Sequence, residues 1–262
     1  MVGEKIALIT GGSSGLGLAM AKKLAGEGYL PILLARKTEK LESAVNLIQK
    51  AGFSASTFSA DVSNVKEIET VAREIKKKFG EVHFLILSAG VVHTKLLLNY
   101  EDMEELKEDL EIDLWGTILC ARIFVPLMKS GSKILLISSA FALIGGAGYS
   151  VYCAAKAGVM NFGESLRREL LSKNIAVYVA CPADIKTPQY EKEIASSPSW
   201  MNSSHRNRPL SADVVAKRIL KKCQGSRFLI ITNFDVLLLQ FVSRIFPRRL
   251  RDLIVDFSLP RP

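Results

Sequence analysis

Two observations predict an α/β protein built on a doubly wound, seven-stranded parallel sheet. Short apolar runs recur through most of the 262 residues, and the segments between them place apolar residues at three- and four-residue steps, the period of a helix. Taken in order, the strands are predicted at 5–9, 30–35, 54–59, 84–88, 133–138, 176–181 and 227–232, with a helix in each intervening segment. The right-handed crossover rule makes a doubly wound sheet the compact solution, with a ligand crevice at the carboxyl ends of the strands near the reversal of strand order. There is no internal repeat and no low-complexity linker, so residues 1–262 read as one domain.

Two late segments depart from the alternation. Residues 183–209 form a connection far longer than the usual two to six residues; with Tyr190, Trp200 and Met201 they read as a substrate lid loop. Beyond the last strand, Phe234, Leu237, Leu238, Phe241, Val242 and Ile245 recur at helical spacing. Past Pro247, Leu250, Leu253, Ile254 and Phe257 do so again. Residues 234–262 therefore read as an amphipathic tail of two kinked helices, with Arg244, Arg248, Arg249 and Arg251 beside the apolar faces. Such a tail suits either an anionic membrane surface or packing onto the core or a dimer partner.

Composition narrows the function. Hydrophobic residues make up 48 %, too many for a disordered or fibrous chain, and 35 Lys and Arg against 26 Asp and Glu give a net charge of +9. That positive charge gathers at the first strand turns and the tail, with no aromatic-interleaved basic stripe, so nucleic-acid binding is not expected. The four cysteines stand far apart with no CxxC, which argues against a disulfide framework and a zinc site; no metal is expected. The chain runs from Met1 straight into the first apolar run, without the pattern of a signal peptide, and no stretch reaches about 18 apolar residues. A cytoplasmic protein is expected, with any membrane contact peripheral on the cytoplasmic face.

The first strand runs into Thr10-Gly11-Gly12-Ser13-Ser14-Gly15-Leu16-Gly17 and then a helical run. Glycines allow close backbone approach and positive φ, and the helix start offers unpaired N–H groups, which together make a phosphate cradle. At the end of the second strand, where a carboxylate would bind a ribose 2′-hydroxyl, stand Arg36 and Lys37 with Lys40 one turn later. A guanidinium there accommodates a 2′-phosphate, which favours NADPH over NADH.

Tyr152 and Lys156 lie four residues apart, on one face of a helix. A cation near the phenol favours its phenolate, so the hydroxyl can exchange a proton with a substrate oxygen near neutral pH. Ser139, at the end of the fifth strand, can hydrogen-bond the same oxygen.

With these motifs in this order, the chain resembles the short-chain dehydrogenase/reductase family from position 6 to about 232. The resemblance implies a Rossmann-type fold and a cofactor turn formed by Gly11, Ser13, Ser14, Gly15, Leu16 and Gly17. It implies an adenine contact at Asp61 and Val62. Tyr152 is then the acid/base, Lys156 holds the nicotinamide ribose and lowers the Tyr pKa, and Ser139 orients the carbonyl. Pro182-Ala183-Asp184-Ile185-Lys186-Thr187 resembles the family's PGxxxT stretch, so Pro182, the Ile185 backbone and the Thr187 hydroxyl are expected at the carboxamide. Two positions depart from the pattern. The family's NAG reads Ser88-Ala89-Gly90, and the Asn of its proton relay reads Asp113, which can accept from a relay water but cannot donate when ionised, or which only caps or bends its helix.

Within the family, the PxDxxTP pattern from Pro182 to Pro188, the Gly-Gly-Ser-Ser-Gly turn and the apolar basic tail resemble the 3-ketodihydrosphingosine (3-dehydrosphinganine) reductases. That branch implies NADPH-dependent reduction of a long-chain amino ketone. Reduction of 3-oxoacyl thioesters or steroids, and a non-catalytic NADP-binding regulator, stay open as alternatives. Family members are commonly homodimers or homotetramers, which makes a homo-oligomer the expectation.

Overall fold

The computed structural model describes residues 4–201 and 209–245, together with Pro247, Arg249, Asp252, Leu253 and Asp256. Nine strands lie at Lys5–Thr10 (β1), Tyr29–Ala35 (β2), Ser56–Ser59 (β3), Phe84–Leu87 (β4), Lys133–Ile137 (β5), Ala176–Cys181 (β6), Ile185–Lys186 (β7), Leu210–Ser211 (β8) and Leu229–Ile231 (β9). The α-helices are Gly15–Gly26 (α1), Thr38–Gln49 (α2), Val65–Phe79 (α3), Met103–Asp109 (α4), Gly116–Phe124 (α5), Ser150–Glu169 (α6), Pro188–Ser196 (α7), Ala212–Lys222 (α8) and Phe234–Ile245 (α9).

Seven of the strands form one parallel sheet in the order β3-β2-β1-β4-β5-β6-β9. These are the seven strands that the sequence predicts. Because side chains alternate along a strand, each one feeds two cores. Ile6 and Leu8 of β1 join the layer covered by α3, α5 and α6, whereas Ala7 and Ile9 join the layer covered by α1, α2 and α8. Strand order reverses between β1 and β4, and the crevice expected at that switch point opens at their carboxyl ends.

The segment 183–209 is not the irregular loop that its length suggests. β7 lies within it and pairs in parallel with β8, just past its end, and α7 follows β7 directly. Thr187 caps that helix by accepting from the Tyr190 backbone N–H at 3.2 Å, and Pro188 occupies its first turn, where its missing N–H costs nothing. Tyr190 and Met201 are buried, so their side chains anchor the segment to the body. Residues 202–208, which include His205, lie outside the described residues.

Helix α9 matches the first half of the predicted tail. Phe234, Leu237, Leu238 and Phe241 face outward, and Val236 is buried on the opposite side. Most of the predicted second tail helix, including Arg248, Leu250, Arg251, Ile254 and Phe257, lies outside the described residues. Among the described residues, no helix is long and apolar enough to cross a membrane. All four cysteines are free and buried.

Candidate active site

The glycine turn is held where β1 and β4 end side by side. Thr10 Oγ1 accepts from the backbone N–H groups of Ser88 and Ala89, at 3.0 and 3.1 Å, which ties the turn to the Ser88-Ala89-Gly90 segment. A Cβ on Gly17 would lie 2.4 Å from the Gly11 carbonyl oxygen, and Gly11 and Gly15 have φ of 66° and 53°. Only glycine permits this backbone. The N-terminus of α1 faces the resulting hollow with no acidic residue in its first turn, so its unpaired N–H groups and partial positive charge suit a pyrophosphate.

From this cradle a cavity of about 750 Å³ runs along the carboxyl edge of the sheet. Gly11, Ser13, Ser14, Gly15, Leu16, Gly17, Arg36, Lys37, Lys40, Asp61, Val62, Ser88, Ala89 and Gly90 line it at one end. Ser139, Tyr152, Lys156, Pro182, Ile185 and Thr187 line it at the other. All these residues predicted from sequence thus face one cavity, and of the predicted set only Asp113 lies behind its wall.

At the carboxyl end of β2, Arg36 is half exposed, with Asp61 and Glu108 oxygens at 3.9 and 3.6 Å. Exposed pairs of this kind contribute about 0–1 kcal/mol, so the guanidinium can exchange them for a phosphate. Asp61 also accepts from the Ser63 N–H and hydroxyl, which fixes the turn after β3.

At the other end, α6 is drawn in close by small residues. A Cβ on Gly163 would lie 2.4 Å from Val179 of β6, and one on Gly158 would lie 2.9 Å from Leu114. Lys156 is 5 % exposed on the buried face of this helix. Its backbone carbonyl accepts from the Ser138 hydroxyl at 2.7 Å, and its Nζ reaches Asp113 Oδ1 at 3.4 Å and the Ile137 carbonyl at 3.4 Å. The same Nζ lies 5.5 Å from the centroid of the Tyr152 ring.

Asp113 is fully buried on a π-helical turn, Leu110–Trp115, of the kind that often marks a functional site. Its Oδ1 accepts from the Val91 N–H at 3.0 Å, and its Oδ2 is buried with no hydrogen-bond partner. The side chain therefore does not cap its helix, one of the two roles open from sequence. Burial above all, opposed by Lys156 and reinforced by Asp109, pushes its pKa to about 7. Near neutral pH the protonated form is therefore populated alongside the ionised one, and only the protonated form can donate.

Tyr152 also departs from expectation. Its phenol is pushed well above the ordinary value, by burial first and by the Asp113 charge second, while the Ser139 hydroxyl acts to lower it. Burial of the phenol and the negative charge of Asp113 are the two largest causes, so the expected lowering by the Lys156 cation does not prevail. Ser139 accepts from the Phe141 N–H at 3.2 Å, and its own hydroxyl is within hydrogen-bonding reach of the Tyr152 phenol.

Four side chains without a motif in the sequence also belong to the site. His93 bonds the buried Asp109 at 2.9 Å behind the cavity wall. Tyr149, buried and stacked on Phe141 at 4.4 Å, donates its hydroxyl to Glu193 at 2.6 Å. These contacts join segments 16 and 44 residues apart, at spacings that no sequence pattern singles out.

The sequence profile described as short chain dehydrogenase matches residues 5–197. The chain belongs to the short-chain dehydrogenase/reductase family. It is 33 % identical to 3-dehydrosphinganine reductase TSC10A of Arabidopsis thaliana over 90 % of this chain and 73 % of that one. It is also 32 % identical to the 3-oxoacyl-[acyl-carrier-protein] reductase FabG of Staphylococcus aureus, over 69 % of this chain and 74 % of that one. A solved short-chain dehydrogenase/reductase from Burkholderia phymatum, in complex with NAD, superposes with a TM-score of 0.83 at 23 % identity, covering 99 % of this chain and 97 % of that one. L-sorbose reductase from Gluconobacter frateurii, complexed with NADPH and L-sorbose, gives 0.77 at 25 %, covering 88 % and 96 %. This short-chain dehydrogenase/reductase is thus an oxidoreductase of carbonyl and hydroxyl groups with a Rossmann-type, NAD(P)-binding fold.

Proposed function

We propose that the chain, acting as one catalytic unit over residues 1–262, reduces the 3-ketone of 3-ketodihydrosphingosine to dihydrosphingosine with NADPH. The observation that carries the reading is the meeting of Ser139, Tyr152 and Lys156 at the inner end of a cavity whose outer end is the glycine cradle. The nucleotide's 2′-phosphate is assigned to Arg36, Lys37 and Lys40, and its pyrophosphate to the cradle. The adenine is assigned to Asp61 and Val62, and the carboxamide to Pro182, the Ile185 backbone and Thr187.

The reduced nicotinamide, when bound, supplies a hydride to the carbonyl carbon. Ser139 donates a hydrogen bond to the carbonyl oxygen and thereby stabilises the negative charge that develops there. Tyr152, kept protonated by burial, gives its proton to that oxygen, and the bond between this proton and the phenol breaks as the alcohol O–H forms. Lys156 then faces the phenolate, and Asp113, 3.4 Å behind it, holds or supplies the replacement proton. The sphingoid substrate is supported by the similarity to plant 3-dehydrosphinganine reductases and by the apolar wall of Phe141, Ile144 and Val236. Residues 183–209 serve as the lid, and residues 234–262 as a basic, apolar tail on the cytoplasmic face of a membrane.

The deciding experiment follows NADPH oxidation by wild type and Tyr152→Phe with 3-ketosphinganine, an acetoacetyl thioester and a steroid ketone. Selective turnover of 3-ketosphinganine, lowered at least about 100-fold in the mutant, is expected. Turnover of the thioester alone would transfer the assignment to the 3-oxoacyl class, which the similarity to the bacterial reductase also supports. Tight NADPH binding with no turnover would leave a regulatory binder.

A further inference from the structure

The same cavity holds a carboxylate for which the reduction chemistry has no use. Glu193, on α7, turns into it and accepts the Tyr149 hydroxyl at 2.6 Å. The Tyr149 ring lies 6.2 Å from the Tyr152 ring, and the Glu193 charge acts on both phenols. Among the described residues, Glu193 makes no ion pair: Lys156 is engaged by Asp113, and the neighbouring Lys192 is exposed. Burial, with Asp184 adding its own negative charge, pushes the Glu193 carboxyl up to about 7. A carboxylate kept among aromatic side chains without a cation is costly, and a ligand that brings the missing cation recovers that cost.

We propose that Glu193 is a specificity residue that binds an ammonium group on the carbon next to the reacting ketone, so that the cavity selects 2-amino ketones over neutral ketones. The assignment rests on the reductase reading above and deepens it. An oxygen seated at Ser139 and Tyr152 directs a substituent on the adjacent carbon toward Tyr149 and Glu193. Tyr149 holds one carboxylate oxygen and leaves the other for the ammonium. Phe141 and Ile144 then face the hydrocarbon part. The recognition group thereby sits on α7, within the segment proposed as the lid.

The test compares a long-chain 2-amino-3-ketone with the same ketone lacking the amine, in wild type, Glu193→Gln and Glu193→Asp, with NADPH saturating. Wild type is expected to prefer the amino ketone about tenfold or more in kcat/KM, carried by KM. Glu193→Gln keeps the acceptor for Tyr149 and is expected to erase that preference; its effect through the Glu193 charge on Tyr152 is common to both ketones and cancels in their ratio, and Glu193→Asp retains part of the preference. An equal loss on both ketones, or a wild type blind to the amine, overturns the assignment and leaves the reductase reading standing. If no ketone is turned over, the reductase reading falls, and binding to the NADPH complex decides the amine site. Tighter binding of dihydrosphingosine than of the amine-free alcohol, lost in Glu193→Gln, supports it; equal binding overturns it.

Discussion

Asp113 stands where the family resemblance implies an asparagine, and its protonation decides what it can do there. Where the family resemblance implies an amide that donates and accepts at all pH values, this chain has a group that does both while protonated and only accepts once ionised, the change falling close to 7. Its folded pKa lies above the ordinary carboxyl value of 3.8, so the folded state binds this proton more tightly than the unfolded one. The corresponding stability is present at low pH and is lost as pH rises through the window from about 4 to 7. Thermal unfolding of Asp113→Asn across that window is therefore expected to show a flatter dependence on pH than wild type; an unchanged slope would mean that Asp113 does not titrate there. Motif residues such as Tyr152 and Lys156 are legible from sequence because their partnership is encoded in a fixed helical spacing. Asp109, His93, Tyr149 and Glu193 are not, because their contacts exist only once α6 and α7 and the segment after β4 have been folded against each other. The protonation of Tyr152 was illegible for the same reason: a neighbouring cation can be read from spacing, but the burial of the phenol and the Asp113 charge beside it cannot.

At the scale of elements, the parallel sheet was legible because each central strand is apolar on both faces and stands out from the helical period around it. β7 and β8 were not, since two-residue strands carry no period, nor was the π-helical turn at Asp113, which differs from an α-helix in backbone pairing and not in composition. Helix α7 did leave a signal, Thr187 followed by Pro188, the pairing of an N-cap with a proline in the first turn. That cap sits against the glycine turn, because a Cβ built on Gly15 would lie 3.3 Å from Thr187 Cγ2. Thr187→Ala is expected to destabilise α7 by about 0.5–2 kcal/mol and to raise the KM for NADPH and ketone together, whereas Thr187→Ser retains the cap. Steady-state kinetics of the two variants check this, and equal behaviour would detach the cap from lid function. Arg36, which lines the same cavity, is a residue proposed to hold the 2′-phosphate. Arg36→Glu is expected to shift the ratio of NADPH to NADH use toward NADH by at least about tenfold, and an unchanged ratio would refute the 2′-phosphate assignment.

At the scale of the whole molecule, the net charge of +9 and the apolar face of α9 meet at the C-terminal end. Phe234, Leu237, Leu238 and Phe241 are 79, 47, 52 and 58 % exposed, while Val236, on the other side of the same helix, lines the catalytic cavity. A helix so placed puts the cavity next to whatever its outer face contacts. Four apolar side chains at three- and four-residue steps, followed in sequence by Arg244, Arg248, Arg249 and Arg251, have the pattern of a helix lying in an anionic interface. A hydrophobic ketone could then pass from lipid to the active site without crossing water. Removal of 234–262 is expected to abolish flotation with anionic vesicles, but it also removes Val236 from the cavity and so confounds activity with binding. Leu237→Ser with Leu238→Ser leaves Val236 in place. This variant is expected to lose flotation while retaining turnover of a short, water-soluble ketone. Wild-type flotation should weaken as salt screens the basic cluster. If the double variant floats as well as wild type, the apolar face is not what holds the protein to lipid, and a tail that covers a second copy of the chain becomes the better account.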